Sequence, residues 1–342
     1  MRKLLVTGGA GFIGSNFVRT VLSEHQDCFI ANLDKLTYAG NLENLAGFEN
    51  HPNHKFIKGD ICNGALVEKI IDEYKIDTII NFAAESHVDR SITEPKVFIE
   101  TNVTGTLTLL EAARDSSATG KKIEWFIQVS TDEVYGALGT EGKFTEQTPL
   151  SPNSPYSASK AAADHLVNAF GHTWGIKYNI TRCSNNYGPY QFPEKLIPLM
   201  INNALNNKEL PIYGDGLYIR DWLYVYDHCT AIWKILEKAP AGETYNIGGC
   251  NEKTNLEVVE LILNRLGKPK SLIKHVTDRP GHDRRYATDA SKIIKDLNWH
   301  PSVSFDEGLN KTIDWYLQNQ KWLSNVVSGD YQKYYESMYG NR

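Results

Sequence analysis

The chain has no excess of positive charge: 36 lysines and arginines are set against 41 aspartates and glutamates, a formal net charge of −5 at neutral pH. Proteins that bind nucleic acid or lie on membrane surfaces gather basic clusters, so neither partner is expected. No apolar run reaches the length that crosses a bilayer. The five cysteines, Cys28, Cys62, Cys183, Cys229 and Cys250, are far apart and odd in number. They lack the close paired spacing of a zinc site or a disulfide framework, which predicts reduced thiols and no metal. Internal repeats, low-complexity tracts and blocks of like charge are also missing, which removes solenoids and charged interaction tails. The opening MRKLLVTGG passes from a short apolar run straight into glycines, with no signal-peptide core or cleavage site, and the expected location is the cytoplasm.

What the chain has is a rhythm. With 342 residues, 41% hydrophobic and 23% charged, it can bury a sizeable core in one large or two ordinary domains. Short β-branched runs, KLLVTG, CFIANLD, KFIKGD, DTIINFAA, IEWFIQVS and YNITRC, read as strands apolar on both faces. Amphipathic stretches such as 17–23 and 97–114 separate them. Strands alternating with helices in this way predict an α/β fold, a doubly wound, Rossmann-type parallel sheet covered on both sides. After about residue 186 proline, glycine and aromatics become dense and the strand and helix signals shorten. The expected division is therefore a dinucleotide-binding domain over 1–186 and a smaller C-terminal substrate lobe over 187–342, from which some chain could return to the first domain.

In VTGGAGFIGS, Gly8, Gly11 and Gly14 follow a strand and open a helix. Glycines there permit a tight turn and close backbone approach to a pyrophosphate, and the helix start supplies N–H donors. Asp34 ends the next strand, where a carboxylate accepts both ribose hydroxyls and repels a 2′-phosphate, so NAD is expected in preference to NADP. Alternatively the glycines merely pack and Asp34 merely turns the chain. Their occurrence within a single strand-turn-helix-strand unit argues for the nucleotide.

Two further stretches could carry chemistry. In SPYSASKAAADH, Tyr156 and Lys160 stand four residues apart at the start of a helix, on one face. An ammonium near a phenol favours the phenolate, and a nicotinamide cation adds to this, so Tyr156 could act as a base near neutral pH. Alone, such a pair is more often an ordinary surface pair. In QVSTDEVYG, Asp132 and Glu133 follow a buried strand. Taken alone, Asp132 starts a turn and Glu133 points into water.

Together these residues carry a resemblance. TGGAGFIG with YSASK is similar to the extended short-chain dehydrogenase/reductase superfamily. STDEVYG, ESHVDRS, NNYGPYQFPEKLIP, RDWLYV and DRPGHDRRYA closely resemble the dTDP-glucose 4,6-dehydratase family, over the chain to about residue 320. One departure is Tyr226, where an acidic residue is expected; it is not expected to touch the chemistry. The resemblance implies transient oxidation at carbon 4 of dTDP-glucose by tightly bound NAD, loss of water across carbons 5 and 6, and hydride return to carbon 6. It makes Tyr156 the base at the sugar 4-hydroxyl, Thr131 that hydroxyl's hydrogen-bond partner, Glu133 the base at carbon 5, and Asp132, held protonated, the acid at carbon 6. Two adjacent carboxylates in opposite roles need surroundings that push their pKa values apart.

The resemblance also implies contacts residue by residue. Phe12 and Ile13 would lie along the pyrophosphate, with Asp34, Lys35 and Thr37 around the adenosine ribose and Asp60 and Ile61 at the adenine. Ala83, Ala84 and Ser86 would lie under the cofactor, with Thr101 and Asn186 nearby, and Ser86 would also face the sugar. Asn185, Lys195, Leu196, Pro211, Tyr213, Arg220, Asn255, Arg279 and His282 would hold the nucleotide sugar. A guanidinium at Arg220 suits a diphosphate, and an ion pair with Asp215 or Asp221 is the lesser alternative. As in relatives, helices at 97–114 and 156–170 would form a homodimer through a four-helix bundle, and the product would feed deoxysugar biosynthesis, rhamnose included. An epimerase or simple dehydrogenase of the superfamily would need Tyr156 but not the acidic pair. A catalytically idle regulator should have lost Tyr156 or Lys160. UDP- and CDP-sugars remain alternative substrates.

Overall fold

The computed structural model describes residues 1–118, 123–278 and 281–328. Seven strands, β1 (Arg2–Thr7), β2 (Cys28–Asp34), β3 (His54–Lys58), β4 (Thr78–Asn81), β5 (Trp125–Thr131), β6 (Tyr178–Cys183) and β10 (Glu243–Ile247), form one sheet in the order β10-β6-β5-β4-β1-β2-β3. Every pairing in it is parallel. Order reverses beside β1, which opens a crevice at the carboxyl ends of β1 and β4, where ligands of doubly wound sheets bind.

Strand composition explains the double cover. Leu4 and Val6 of β1 join one apolar cluster, whereas Leu5 between them joins another, and all three are fully buried. Alternate side chains point to opposite faces, so a strand apolar at consecutive positions is stable only when both faces are covered. One face is covered by α1 (Phe12–Glu24), α8 (Val225–Lys238) and α10 (Ser291–Leu297). The other is covered by α2 (Gly64–Tyr74), α5 (Thr106–Ala118) and α6 (Pro155–Trp174). A Ser154–Ser157 capping box with Pro155 in the first turn starts α6, and Gly175 with φ of 69° ends it.

A third apolar cluster draws on α7 (Leu196–Leu205), α9 (Asn255–Leu266), α11 (Phe305–Gln318) and α12 (Gln320–Val326). With it go two small sheets, β11-β9-β7 (Glu252–Thr254, Ile219–Tyr224, Asn185–Tyr187) and β12-β8 (Ile273–Val276, Leu210–Tyr213). After β9 the chain crosses back through α8 and β10 to the edge of the large sheet before going on to β11 and α9.

Three details depart from the sequence expectation. The first helix starts at Phe12 rather than Phe17, because the glycine turn itself opens it. The stretch 97–114 is not α-helical throughout: after a short α3 (Val88–Thr93), α4 (Pro95–Phe98) runs through a π-helical segment (Ile99–Gly105) into α5. Elements after residue 186 are not short throughout, since α8 and α11 each run for 14 residues. Both helices are amphipathic, with buried aromatic side chains such as Trp233 and Tyr316 on the face turned to the cores. Among the described residues no helix is long and apolar enough to cross a membrane.

Candidate active site

The glycine turn leaves no room for side chains. Gly8 has φ of 69°, and a Cβ there would lie 2.6 Å from the Ala83 nitrogen. A Cβ on Gly14 would lie 2.3 Å from the Gly8 carbonyl oxygen. β1 and α1 are thereby held at a separation only glycine permits, and the helix start faces the crevice. Asp34 ends β2 with both carboxylate oxygens tied: the Ala10 N–H donates to Oδ2 at 2.9 Å and the Leu36 N–H to Oδ1 at 2.8 Å. Burial raises its pKa and these two N–H groups work against the rise. Beyond it the Lys35 ammonium lies 2.7 Å from Asp60.

One cavity is lined by every residue expected to hold a dinucleotide: Gly8, Gly11, Phe12, Ile13, Gly14, Asp34, Lys35, Thr37, Asp60, Ile61, Ala83, Ala84, Ser86, Thr101, Tyr156, Lys160 and Asn186. Thr131, Asp132 and Glu133 line its inner end. Its donor set fits NAD on the structure's own terms, with a side-chain-free glycine turn at a helix start and an acidic strand end that disfavours a 2′-phosphate. A second cavity is lined by Asn185, Lys195, Leu196, Pro211, Tyr213, Arg220, Asn255 and His282. Glu133, Asn185, Glu194 and Lys195 line both, so the two cavities meet at Glu133, with Asp132 on the wall of the first. Ser86 and Thr131, expected near the sugar as well, stand on the first cavity's wall. Arg279 lies outside the described residues. Tyr226 is on the surface, donating to Glu24 at 3.1 Å.

β5 delivers the acidic pair. It ends at Thr131, whose hydroxyl accepts the Glu133 N–H at 3.3 Å and caps the short 3₁₀ turn Asp132–Tyr135. The turn sends the two carboxylates into different surroundings. Asp132 is 2% exposed and takes a hydrogen bond from Thr288 at 3.2 Å. Burial, then the neighbouring Glu133 and Asp221, push its pKa up to about 8, so it is protonated at neutral pH. Glu133 is only half-buried and lies where the cavities join.

Tyr156 and Lys160 stand on α6 at the same place, both almost fully buried. The phenolate that the spacing suggested is not favoured by this arrangement. Burial, Glu133 and Cys183 hold the Tyr156 phenol well above its ordinary pKa, against which a hydrogen bond with Thr131 works. The Lys160 ammonium turns to the Val129 carbonyl, donating to it at 2.7 Å, and its own pKa is lowered by burial.

In the second cavity Arg220 is 6% exposed, donates to the carbonyls of Ile219 at 2.8 Å and Asp283 at 2.9 Å, and lies over the Tyr286 ring. Neither carboxylate considered as its partner is turned to that use. Arg284 binds both oxygens of Asp215, at 2.7 and 2.8 Å, and Asp221 accepts the backbone N–H groups of Gly249 and Asn251. His282 stacks on Tyr218 at 3.8 Å and meets Asp278 at 2.7 Å. Lys195 donates to the Ser86 carbonyl at 2.9 Å and so links the two cavities.

Several lining residues were not singled out from the sequence, notably Asp89, Glu194 and Tyr286. Asp89 accepts the Tyr213 hydroxyl at 3.0 Å. Glu194 accepts the Tyr38 hydroxyl at 3.0 Å, while the Arg90 guanidinium stacks 3.7 Å from the Tyr38 ring centre. All three lie inside the motifs ESHVDRS, FPEKLIP and DRRYA, the one signal that could have found them.

Comparison with known proteins adds the family. The family model described as GDP-mannose 4,6 dehydratase matches residues 5–312. A dTDP-glucose 4,6-dehydratase of Xanthomonas campestris pv. campestris (strain B100) is 56% identical, covering 97% of this chain and 98% of that one. The crystal structure of dTDP-glucose 4,6-dehydratase from Bacillus anthracis in complex with NAD has a TM-score of 0.88 and 53% identity, covering 95% of this chain and 100% of its own. That of the Streptomyces venezuelae enzyme with NAD and TDP bound has a TM-score of 0.91 and 48% identity, covering 95% and 99%. Such similarity along almost the whole length, on a doubly wound sheet with the glycine turn, the acidic pair and the Tyr156–Lys160 helix around one crevice, means that the chain belongs to the dTDP-glucose 4,6-dehydratase family.

Proposed function

We propose that this protein converts dTDP-glucose to dTDP-4-keto-6-deoxyglucose and water, an NAD-dependent hydro-lyase reaction, with residues 1–186 holding NAD and most of 187–342 holding the nucleotide sugar. The observation that carries this reading is the acidic pair: Glu133, half-buried, stands where the two cavities join, and Asp132 beside it is buried in the wall of the first, where its pKa is raised. An epimerase of the same fold has no use for that division.

NAD bound in the first cavity takes up a hydride from the sugar and later returns it, and its oxidised ring places positive charge beside the phenol. The chain's own residues do the proton work. Gly8, Gly11 and Gly14 admit the pyrophosphate, and Asp34 receives the ribose hydroxyls. Arg220, held by backbone carbonyls, presents its guanidinium to the diphosphate. Tyr156 takes the proton of the 4-hydroxyl, to which Thr131 hydrogen-bonds, and Lys160 supplies positive charge behind it. The resulting ketone acidifies carbon 5. Glu133 removes the carbon 5 proton and Asp132 donates its own to the departing 6-hydroxyl, so water leaves and an enone remains. Glu133 then returns a proton to carbon 5, and the proton that Tyr156 took from the 4-hydroxyl replaces the one that Asp132 gave up, which resets both groups. Because the cofactor is restored in each cycle, purified protein should carry it.

A homodimer through helices at 97–114 and 156–170 is supported by the exposed apolar side chain of Ile99 in the first of them. A cytoplasmic place in deoxysugar supply, rhamnose included, agrees with the substrate. The test is isotopic: deuterium at carbon 4 of dTDP-glucose should appear at carbon 6 of the product. In Glu133→Gln, oxidation at carbon 4 should survive while the carbon 5 proton stays in place. Product formed at the wild-type rate by that variant would remove Glu133 from the role of base.

A further inference from the structure

Tyr156, Lys160 and Asp164 recur at intervals of four along α6, so their side chains share one helical face. Lys160 is 3% exposed and Asp164 is 0% exposed. A lysine ammonium this deep needs a compensating charge or it sheds its proton. The bond it makes, to the Val129 carbonyl, is with a neutral acceptor. Asp164 lies one turn further along, and of the surrounding groups it does most to keep the Lys160 proton in place.

A buried carboxylate has the same difficulty: burial raises the Asp164 pKa, and Arg182 is foremost among the groups that oppose the rise. The Arg182 Nε donates to Asp164 Oδ2 at 2.9 Å, and its Nη1 donates to the Tyr135 hydroxyl at 3.0 Å, which in turn donates to Asn246 at 2.7 Å. The other carboxylate oxygen, Oδ1, is buried and has no hydrogen-bond partner among the described residues. A guanidinium does not give up its proton in proteins, so it can hold a neighbouring carboxylate ionised. The titratable and charged groups around Lys160 are Tyr156 and Asp164 on its own helix, Cys183 and Arg182 from β6, and Asp132 and Glu133 from the turn after β5. The π-helical segment packed on α6 contributes the neutral Asn102, bonded to Ser159 at 2.8 Å.

We propose that Asp164 is a positioning residue for carbon 4 oxidation: its carboxylate, kept ionised by Arg182, holds Lys160 as an ammonium behind Tyr156. The proposal rests on the roles given above to Tyr156 and Lys160. Asp164 touches neither sugar nor cofactor and acts through Lys160.

The test reads oxidation at carbon 4 alone, as the single-turnover rise of NADH absorbance on adding dTDP-glucose to the NAD-loaded Glu133→Gln protein across neutral and alkaline pH. Adding Asp164→Asn should move the alkaline limb of that rate about one to three pH units toward acid, the effect of losing one nearby opposite charge. Asp164→Glu should restore the limb. Because Asp164→Asn strands a buried guanidinium, the doubly neutral Asp164→Asn/Arg182→Gln is measured beside it and should show the same displaced limb. Arg182→Gln alone, which removes the group that keeps Asp164 ionised, should lower the melting temperature and displace the limb in the same direction. A limb that stays in place in both Asp164→Asn proteins overturns the proposal. Failure of NADH to rise at all in the Glu133→Gln parent overturns instead the reading of the site on which it rests.

Discussion

Asp132→Asn separates what the buried acid does for the reaction from what it does to the fold. In the folded protein the Asp132 pKa stands at about 8 against an ordinary 3.8. The folded state therefore holds this proton more tightly than the unfolded chain. Its contribution to stability is complete below about pH 4, declines as pH rises, and is lost once pH passes about 8. At 1.36 kcal/mol per pH unit the penalty is about 4 kcal/mol at pH 7 and about 6 kcal/mol above pH 8. Asparagine copies the protonated side chain, keeps an oxygen for the Thr288 hydroxyl, and does not ionise. The variant should match wild type in mild acid and become progressively more stable above it. With an unfolding entropy of about 2.1 cal/mol/K per residue over 342 residues, 4 kcal/mol corresponds to a rise of about 6 °C in melting temperature. The assay is thermal unfolding of both proteins at saturating NAD in a series of buffers from acid to alkaline. Turnover should fall roughly 10²- to 10⁴-fold through loss of the proton donor, and wild-type turnover should decline as pH passes about 8. A stability difference that does not grow with pH would show that Asp132 is ionised in the fold, and the assignment of acid and base would then lose its physical basis.

Other expectations follow from the cofactor cavity. Asp34→Ala removes the carboxylate that disfavours a 2′-phosphate, so NADP should gain on NAD by at least tenfold in dissociation constants measured by fluorescence titration of the cofactor-stripped protein. Gly14→Ala places a methyl group 2.3 Å from the Gly8 carbonyl, which should force β1 and α1 apart; the protein should purify without NAD and melt at lower temperature. A Gly14→Ala protein that retains its cofactor would show that the turn has slack the structure does not suggest.

The large sheet was legible because strands buried on both faces are apolar at consecutive positions, as Leu4, Leu5 and Val6 are, and little else in a globular protein is. The glycine turn and Asp34 were legible because their chemistry fixes residue types at fixed spacing. The site beyond them was less so. Asp132 and Glu133 are equivalent as letters apart from the resemblance, and it is the packing of Thr288 and Asp221 around Asp132 that gives the two carboxylates different surroundings. Asp89, Glu194 and Tyr286 come from loops and helix ends, where no period says which side chain turns inward. The π-helical stretch within 97–114 was illegible for a different reason, since one inserted residue per turn leaves composition unchanged.

The return of the chain through α8 and β10 has a consequence for how such enzymes can be rebuilt. β10 pairs with β6 at the edge of the large sheet, from Glu243 opposite Asn179 to Ile247 opposite Cys183. A polypeptide cut after residue 186 would leave β6 as a bare rim of unsatisfied N–H and C=O groups, an invitation to self-association. Changing the nucleotide selected by this scaffold is therefore a matter of grafting individual loops onto an intact chain, because its two halves are interlaced and cannot be exchanged as cassettes.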